Sequence, residues 1–275
     1  MANFEQRLAL HTWSLDTTPL RETLAAIKAT GWSAVELRWV DFARLREQGS
    51  SNAQVLELVR ASGVKVAVIG TEYGLIFAQG AERDRLLGSL ELTCANAVAL
   101  DCDMVMIAPG QNDGSLELAA ANFRAGGEVA KRHGVRLALE FNSAHKVLNR
   151  LRIARDLIAA ANHLHCGLLL DAYHMERCGD GGRAFADVPP EQIFAFQYSD
   201  VPSGLQSSER RPIDRLPPGK GTVRWHEVLR LLAEKGYAGY LSYEAPNPAQ
   251  WARPPQEVAR EALDATRAVL QSAGV

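Results

Sequence analysis

The chain has 275 residues, 47% hydrophobic and 23% charged, with a formal net charge of −2, which suits a globular protein with a substantial core; about 250 residues would build one (β/α)₈ barrel. A balance this close to neutral gives no general attraction to nucleic acid or an anionic membrane, and no apolar run reaches the roughly 18 residues that cross a bilayer. The opening MANFEQRLALHTW lacks the basic and long apolar segments of a secretory signal, so a cytoplasmic protein with neither nucleic-acid nor membrane partners is expected.

Leu8-Ala9-Leu10 opens a strand ending at His11, and residues 19–30 carry Leu20, Leu24 and Ile27 at helical spacing before Gly31 stops them. A second unit joins the strand Ala34-Val35-Glu36-Leu37 to a helix over 52–61. A third runs from a β-branched strand, 64–69, through a long loop, 70–80, to a helix over 81–100. Next come a strand at 103–107, a helix over 116–132, a strand from Val135 to Glu140 and a helix over 148–162. After them stand the strand 166–171, a short helix near 180–187, the strand Phe194-Ala195-Phe196, a polar loop to Gly221, a helix over 225–235, a strand at 240–243 and an amphipathic helix over 255–271.

Eight strands alternating with helices at intervals of roughly 25 to 40 residues predict parallel βα units. Gly31, Gly63, Gly134 and Gly236 stand where a helix must turn into the next strand through a left-handed residue. The expected fold is α/β: one (β/α)₈ TIM barrel over residues 1–275, with a C-terminal helix. An open doubly wound sheet is the competitor, weakened by the lack of a G-x-G-x-x-G after the first strand. Cys94, Cys102, Cys166 and Cys178 include no C-x-x-C pair and read as reduced thiols.

The chemistry concentrates at the ends of four successive strands. Leu137-Ala138-Leu139 stops at Glu140, Gly167-Leu168-Leu169-Leu170 at Asp171, Phe194-Ala195-Phe196 at Gln197, and Tyr240-Leu241-Ser242-Tyr243 at Glu244. In a barrel the strand ends share one mouth, so these four side chains would converge. Each acid alone equally suits a salt-bridged or capping residue; three packed together repel unless a cation compensates them. An all-oxygen set suits Mn²⁺ or Mg²⁺ and disfavours zinc.

The motifs LEFN (139–142), LLDAYHMERCG (169–179), FQYSD (196–200), RLPPGKG (215–221) and GYAGYLSYEAP (236–246) resemble the xylose-isomerase-like barrel family, which includes ketose 3-epimerases, hydroxypyruvate isomerase, inosose dehydratase and 3-dehydroshikimate dehydratase. The likeness is strong over 135–246 and mostly topological before that. It implies metal ligation by Glu140, Asp171, Gln197 and Glu244, with His174 hydrogen-bonding substrate oxygens and Arg215 meeting the substrate near the metal. It also implies a homo-oligomer. The seventh-strand ligand is histidine in the family's epimerases and glutamine in the hydroxypyruvate isomerase and several dehydratases, with which Gln197 sides.

The expected activity is that of an isomerase or epimerase of a small sugar-like carbonyl compound, with Glu140 and Glu244 as base and acid around an enediolate. Its first step is shared with a dehydratase of an inosose-like or cyclic keto substrate, which is the alternative. An endonuclease-IV-like phosphodiesterase is less favoured, since only His11 and His174 of the seven histidines stand at strand exits on the mouth side, and so is a non-catalytic sugar-binding module. Further substrate contacts are expected from Asn142, His11, Trp13 and Glu72, with Glu36, Arg38 and Tyr73 at the same rim. The segment 143–146 could supply charge or start a solvated helix, and Arg210 to Arg215 could clamp a carboxylate or phosphate or form a surface charge run.

Overall fold

The computed structural model describes residues 4–204, 208–209 and 211–275. Its elements in order are β1 (Leu8–His11), α1 (Leu20–Thr30), β2 (Ala34–Arg38), α2 (Trp39–Glu47), α3 (Asn52–Ser62), β3 (Lys65–Gly70), α4 (Gly80–Ala99), β4 (Met104–Ile107) and α5 (Leu116–His133). They continue with β5 (Arg136–Glu140), α6 (Leu151–Ala161), β6 (Cys166–Asp171), α7 (Ala172–Cys178), β7 (Ile193–Tyr198), α8 (Trp225–Glu234), β8 (Leu241–Tyr243), α9 (Pro248–Trp251) and α10 (Pro255–Ala273). The eight strands pair in parallel and close in chain order, β8 returning to β1, so the barrel is the observed fold and the open sheet is excluded.

Closure buries the strands on both faces, which is why they read as continuous apolar runs rather than alternating ones. Leu168, Leu169 and Leu170 are all fully buried, each contributing about 1.5–3 kcal/mol of burial free energy. The four glycines expected at helix-to-strand turns do adopt positive φ: 90° at Gly31, 70° at Gly63, 68° at Gly134 and 66° at Gly236. α10 packs against α1 and α8, and Trp32 Nε1 donates to Ala259 O at 3.0 Å, tying the C-terminal helix to the turn between α1 and β2.

Two local features differ from the sequence expectation. The short helix lies at 172–178, directly after β6, and residues 180–187 form turns. Asp171 ends the strand and accepts a hydrogen bond from Tyr173 N at 2.9 Å, so it starts the helix at once, and Gly179 at φ 85° stops it. The helix α2, not anticipated, begins where Asp41 Oδ2 accepts from Arg38 N at 2.8 Å.

Cys94, Cys102 and Cys166 are buried, Cys178 is half-buried, and all four are free; burial pushes their thiols up to about 12, leaving them protonated at neutral pH. No helix among the described residues is long and apolar enough to cross a membrane.

Candidate active site

Strand register brings the polar strand ends together. His11 of β1 lies beside Glu36 of β2, Asp171 of β6 beside Gln197 of β7, and Glu244, just past β8, is fixed when its N–H donates to Tyr198 O at 3.0 Å. Glu140 closes β5. All six side chains are buried, Asp171, Gln197, His11 and Glu36 completely so. The strand order explains the convergence, since each polar residue stands at or next to the mouth end of its strand.

Among the described residues, Arg215 is the one guanidinium inside this group. Its Nη1 donates to Asp171 Oδ2 at 2.8 Å and to Glu244 Oε2 at 2.7 Å, while its plane lies 4.3 Å over the Tyr173 ring. One positive charge does not compensate the acids around it. Burial, then Glu244 and Asp171, hold the Glu140 carboxyl well above its ordinary value. Burial likewise lifts Asp171 to about 6 despite Arg215, and Glu36 to about 8.

The two histidines of the site are held neutral, chiefly by burial, with Arg38 acting on His11 and Arg215 on His174. Trp13 N donates to His11 Nδ1 at 3.0 Å, so the ring proton sits on Nε2, which is 3.2 Å from Glu244 Oε1 without the alignment of a hydrogen bond. At His174, Arg215 Nη2 can only donate to Nε2, at 3.2 Å, so the proton sits on Nδ1, 2.9 Å from Ser143 Oγ. The Ser143 N approach to Nδ1, 3.3 Å, is then a contact and not a hydrogen bond.

The loop carrying Arg215 is pinned by Asp200, the last residue of the FQYSD motif. Its backbone exchanges two hydrogen bonds with Leu216, and its carboxylate accepts from Val201 N, Gly219 N, Val223 N and Trp225 Nε1 at 2.8–3.0 Å. Gly221 is needed there because a Cβ would stand 2.1 Å from Val201 O. Asp214, next to Arg215, accepts from Tyr173 OH.

A cavity of about 270 Å³ opens onto these groups. Glu140, His174, Arg215 and Glu244 form its floor, and Trp13, Tyr73, Asn142 and Arg211 form part of its wall. Asn142 lies beyond the end of β5, in the turn where its Oδ1 accepts from Ala144 N at 2.9 Å, and still lines the cavity. His11 stands behind Glu244 and does not line it. Glu72 faces an adjoining cavity of about 440 Å³ and pairs with Arg85 at 2.8 Å; Arg38 is held by Asp16 at 2.7 Å and Asp41 at 3.0 Å.

The segment 143–146 neither starts a helix nor supplies a free charge. His145 is buried and stacked on Phe77 at 5.2 Å, its Nδ1 accepts from Val147 N and Leu148 N, and Lys146 lies 3.4 Å from Asp113. Arg210 lies outside the described residues. His163 and His165 precede β6, at the opposite end of the barrel from the mouth, and pair with Glu128 and Val135 O.

A divalent cation fits the donor set. Glu140 Oε1 and Gln197 Oε1 are buried acceptors with no hydrogen-bond partner among the described residues, and Gln197 is turned so that its amide nitrogen faces Glu36 instead. Glu140, Asp171 and His174 each offer a ligand atom within 4.8 Å of the others, a grouping that could hold a metal ion.

A profile of the xylose isomerase-like TIM-barrel family matches residues 24–269. The chain is 30% identical over 143 residues to an inosose isomerase of Halalkalibacterium halodurans, covering 50% of this chain and 49% of that protein. It is 28% identical over 262 residues to a 3-dehydroshikimate dehydratase of Pseudomonas putida, covering 93% of this chain and 40% of that one. It thus spans about half or less of the length of these relatives. The IOLI protein, solved with a bound zinc atom, superposes with a TM-score of 0.86 at 18% identity, over 97% of this chain and 99% of that one, a likeness of fold. With the closed barrel and the match over most of its length, this chain belongs to the xylose isomerase-like TIM-barrel family.

Proposed function

We propose that the chain removes the proton beside the carbonyl of a small polyhydroxylated compound, as an isomerase or epimerase, using one divalent cation, Mn²⁺ or Mg²⁺, held by Glu140, Asp171, Gln197 and Glu244. The observation that carries this reading is the meeting of three buried carboxylates and an unpartnered amide oxygen with a single guanidinium among them. When bound, the cation would polarise the substrate carbonyl and offset the negative charge of the enediolate. An all-oxygen donor set of this kind favours Mn²⁺ or Mg²⁺.

The residues divide the remaining work. Glu140, whose Oε1 meets no donor among the described residues, takes the α-proton. Glu244, its carboxylate fixed by Arg215, delivers a proton on the other side of the site. His174 Nε2, which accepts from Arg215 Nη2 in this structure, would exchange that donor for a substrate hydroxyl, and the Trp13 and Tyr73 rings flank the carbon skeleton. Proton return to the neighbouring carbon gives isomerisation, and return to the opposite face gives epimerisation. Residues 1–275 serve this reaction as one domain.

The second reading is a dehydratase, in which the same enediolate expels a β-hydroxyl as water. It is favoured by extent: the 3-dehydroshikimate dehydratase match runs over 93% of the chain, the inosose isomerase match over 50%. Incubating the manganese-loaded enzyme with candidate ketones in deuterated water separates the cases. Exchange without water loss supports the isomerase, growth of a conjugated absorbance supports the dehydratase, and absence of α-proton exchange with every ketone contradicts both.

A further inference from the structure

The loop between β4 and α5 lines the cavity over Glu140 and Glu244 through Pro109, Gly110, Gln111 and Asn112, and Asn142, in the turn after β5, lines it too. His145 joins the two without lining the cavity itself. Its Nδ1 accepts from Val147 N and Leu148 N, both at 3.0 Å, so the ring proton sits on Nε2, which donates to Asn112 O at 3.1 Å and lies 3.2 Å from Asp113 Oδ1. His145 N donates to Asn142 O at 2.8 Å and Asn142 N to Leu148 O at 3.1 Å, which closes the turn around the ring. The ring also stacks on Phe77, in the loop after β3, and a Cβ at Gly114 would stand 2.9 Å from Phe77 Cδ1. One buried imidazole thus ties the loop after β4 to those after β3 and β5.

We propose that His145 is a positioning residue: it holds the loop of Asn112 against the turn of Asn142, and so sets how tightly the cavity grips its substrate without touching the substrate itself. The inference rests on the reaction proposed above and adds a residue to it. Strand closure does not need this clamp, because β4 and β5 already pair from Met104 with Arg136 to Ile107 with Leu139. The clamp therefore acts on the wall above the strands, and walls that contact a substrate need such support, since a site loose by about 1 Å loses the geometry that binding uses. Glu140 ends β5, and Glu244 is held by Arg215 and Tyr198 O, so the floor does not hang on the clamp. Its loss should fall on substrate affinity.

Asparagine and glutamine split the imidazole, because the asparagine oxygen takes the place of Nδ1 and the glutamine amide nitrogen that of Nε2. H145N keeps the turn and loses the bond to Asn112, while H145Q keeps that bond. Endoproteinase Asp-N, which cuts before aspartate, reads the loop at the 112–113 bond with no ligand present. H145N is expected to be cut there at least about tenfold faster than the wild type, and H145Q to recover most of the protection. In α-proton exchange by the manganese-loaded proteins, with inosose and 3-dehydroshikimate as probe ketones, H145N is expected to raise KM at least about tenfold with kcat within about threefold, and H145Q to reverse most of that rise. Equal cutting of H145N and the wild type, a fall in kcat at unchanged KM, an H145Q no better than H145N, or loss of folding in both variants overturns the proposal. If the wild type exchanges neither ketone, the reaction is what is in question, and the cutting pattern alone decides whether His145 holds the loop.

Discussion

Gln197 Nε2 donates to Glu36 Oε1 at 2.8 Å across the barrel, from β7 to β2, between two side chains with no exposed surface. An amide has two ends of similar shape, and this hydrogen bond decides which one faces Glu36. The carbonyl oxygen is left for the site, where it meets no donor. Glu36 thus acts on the proposed cation through Gln197.

Replacing Glu36 by Leu should therefore weaken Mn²⁺ binding by roughly 10–100-fold, the usual cost of losing a residue that orients a ligand. Glu36→Gln keeps an acceptor for the amide and should bind Mn²⁺ nearly as well as the wild type. In a Gln197→Ala background, Glu36→Leu should cost nothing further. Calorimetric titration of the four proteins checks this, and an equal loss in Glu36→Gln would point to charge rather than orientation.

Stability should depend on pH in a way set by the buried acids. Folding raises Asp171 to about 6 and Glu36 to about 8, and Glu140 well above its ordinary value, so the folded chain keeps protons that the unfolded chain has released. Their effect is absent below the unfolded carboxylate range and lowers stability as pH rises. His11 and His174, with lowered pKa values, act oppositely, but only below about pH 6.5, the unfolded histidine value. Chelator-treated protein should lose melting temperature between pH 6.5 and about 8, and saturating Mn²⁺ should flatten that slope.

Arg215→Met removes the guanidinium that pairs with both Asp171 and Glu244 and leaves two buried carboxylates without it. Breaking such a buried pair costs about 3–5 kcal/mol, so the metal-free variant should melt at clearly lower temperature. Part of that loss should return on adding Mn²⁺, while turnover stays low. Denaturation of the variant with and without the ion measures both effects.

Asp200→Ala strips four hydrogen-bond donors of their acceptor in the loop that carries Arg215. A loss of at least about 2 kcal/mol is expected, because each buried donor left unmatched costs about 1–3 kcal/mol. Urea denaturation gives the stability change, and the same preparation should show lowered activity.

What could be read before the structure was what chain order encodes. Glu140, Asp171, Gln197 and Glu244 each end an apolar run, and parallel closure of β5 to β8 puts such ends at one mouth, so their meeting followed from the strand pattern. The partner of Gln197 was not legible in the same way, because Glu36 lies 161 residues away and only ring closure brings β2 and β7 within reach. The helix after β6 was misplaced because Asp171 serves both as strand end and as helix cap, two roles that one acidic residue does not advertise. Nor does anything local in Arg210 to Arg215 distinguish the buried Arg215 from the rim residue Arg211; the Asp200 hub and the Trp13 ring make that difference. Glu72 sits at a strand exit like the others, but Arg85 of α4 draws it outward.

The most direct measurement is titration of chelator-treated wild type with Mn²⁺ beside Asp171→Asn and Gln197→Ala. The account predicts one ion per chain in the wild type, with affinity falling at least tenfold in each variant. No binding by the wild type, or binding that both substitutions leave unchanged, would contradict it.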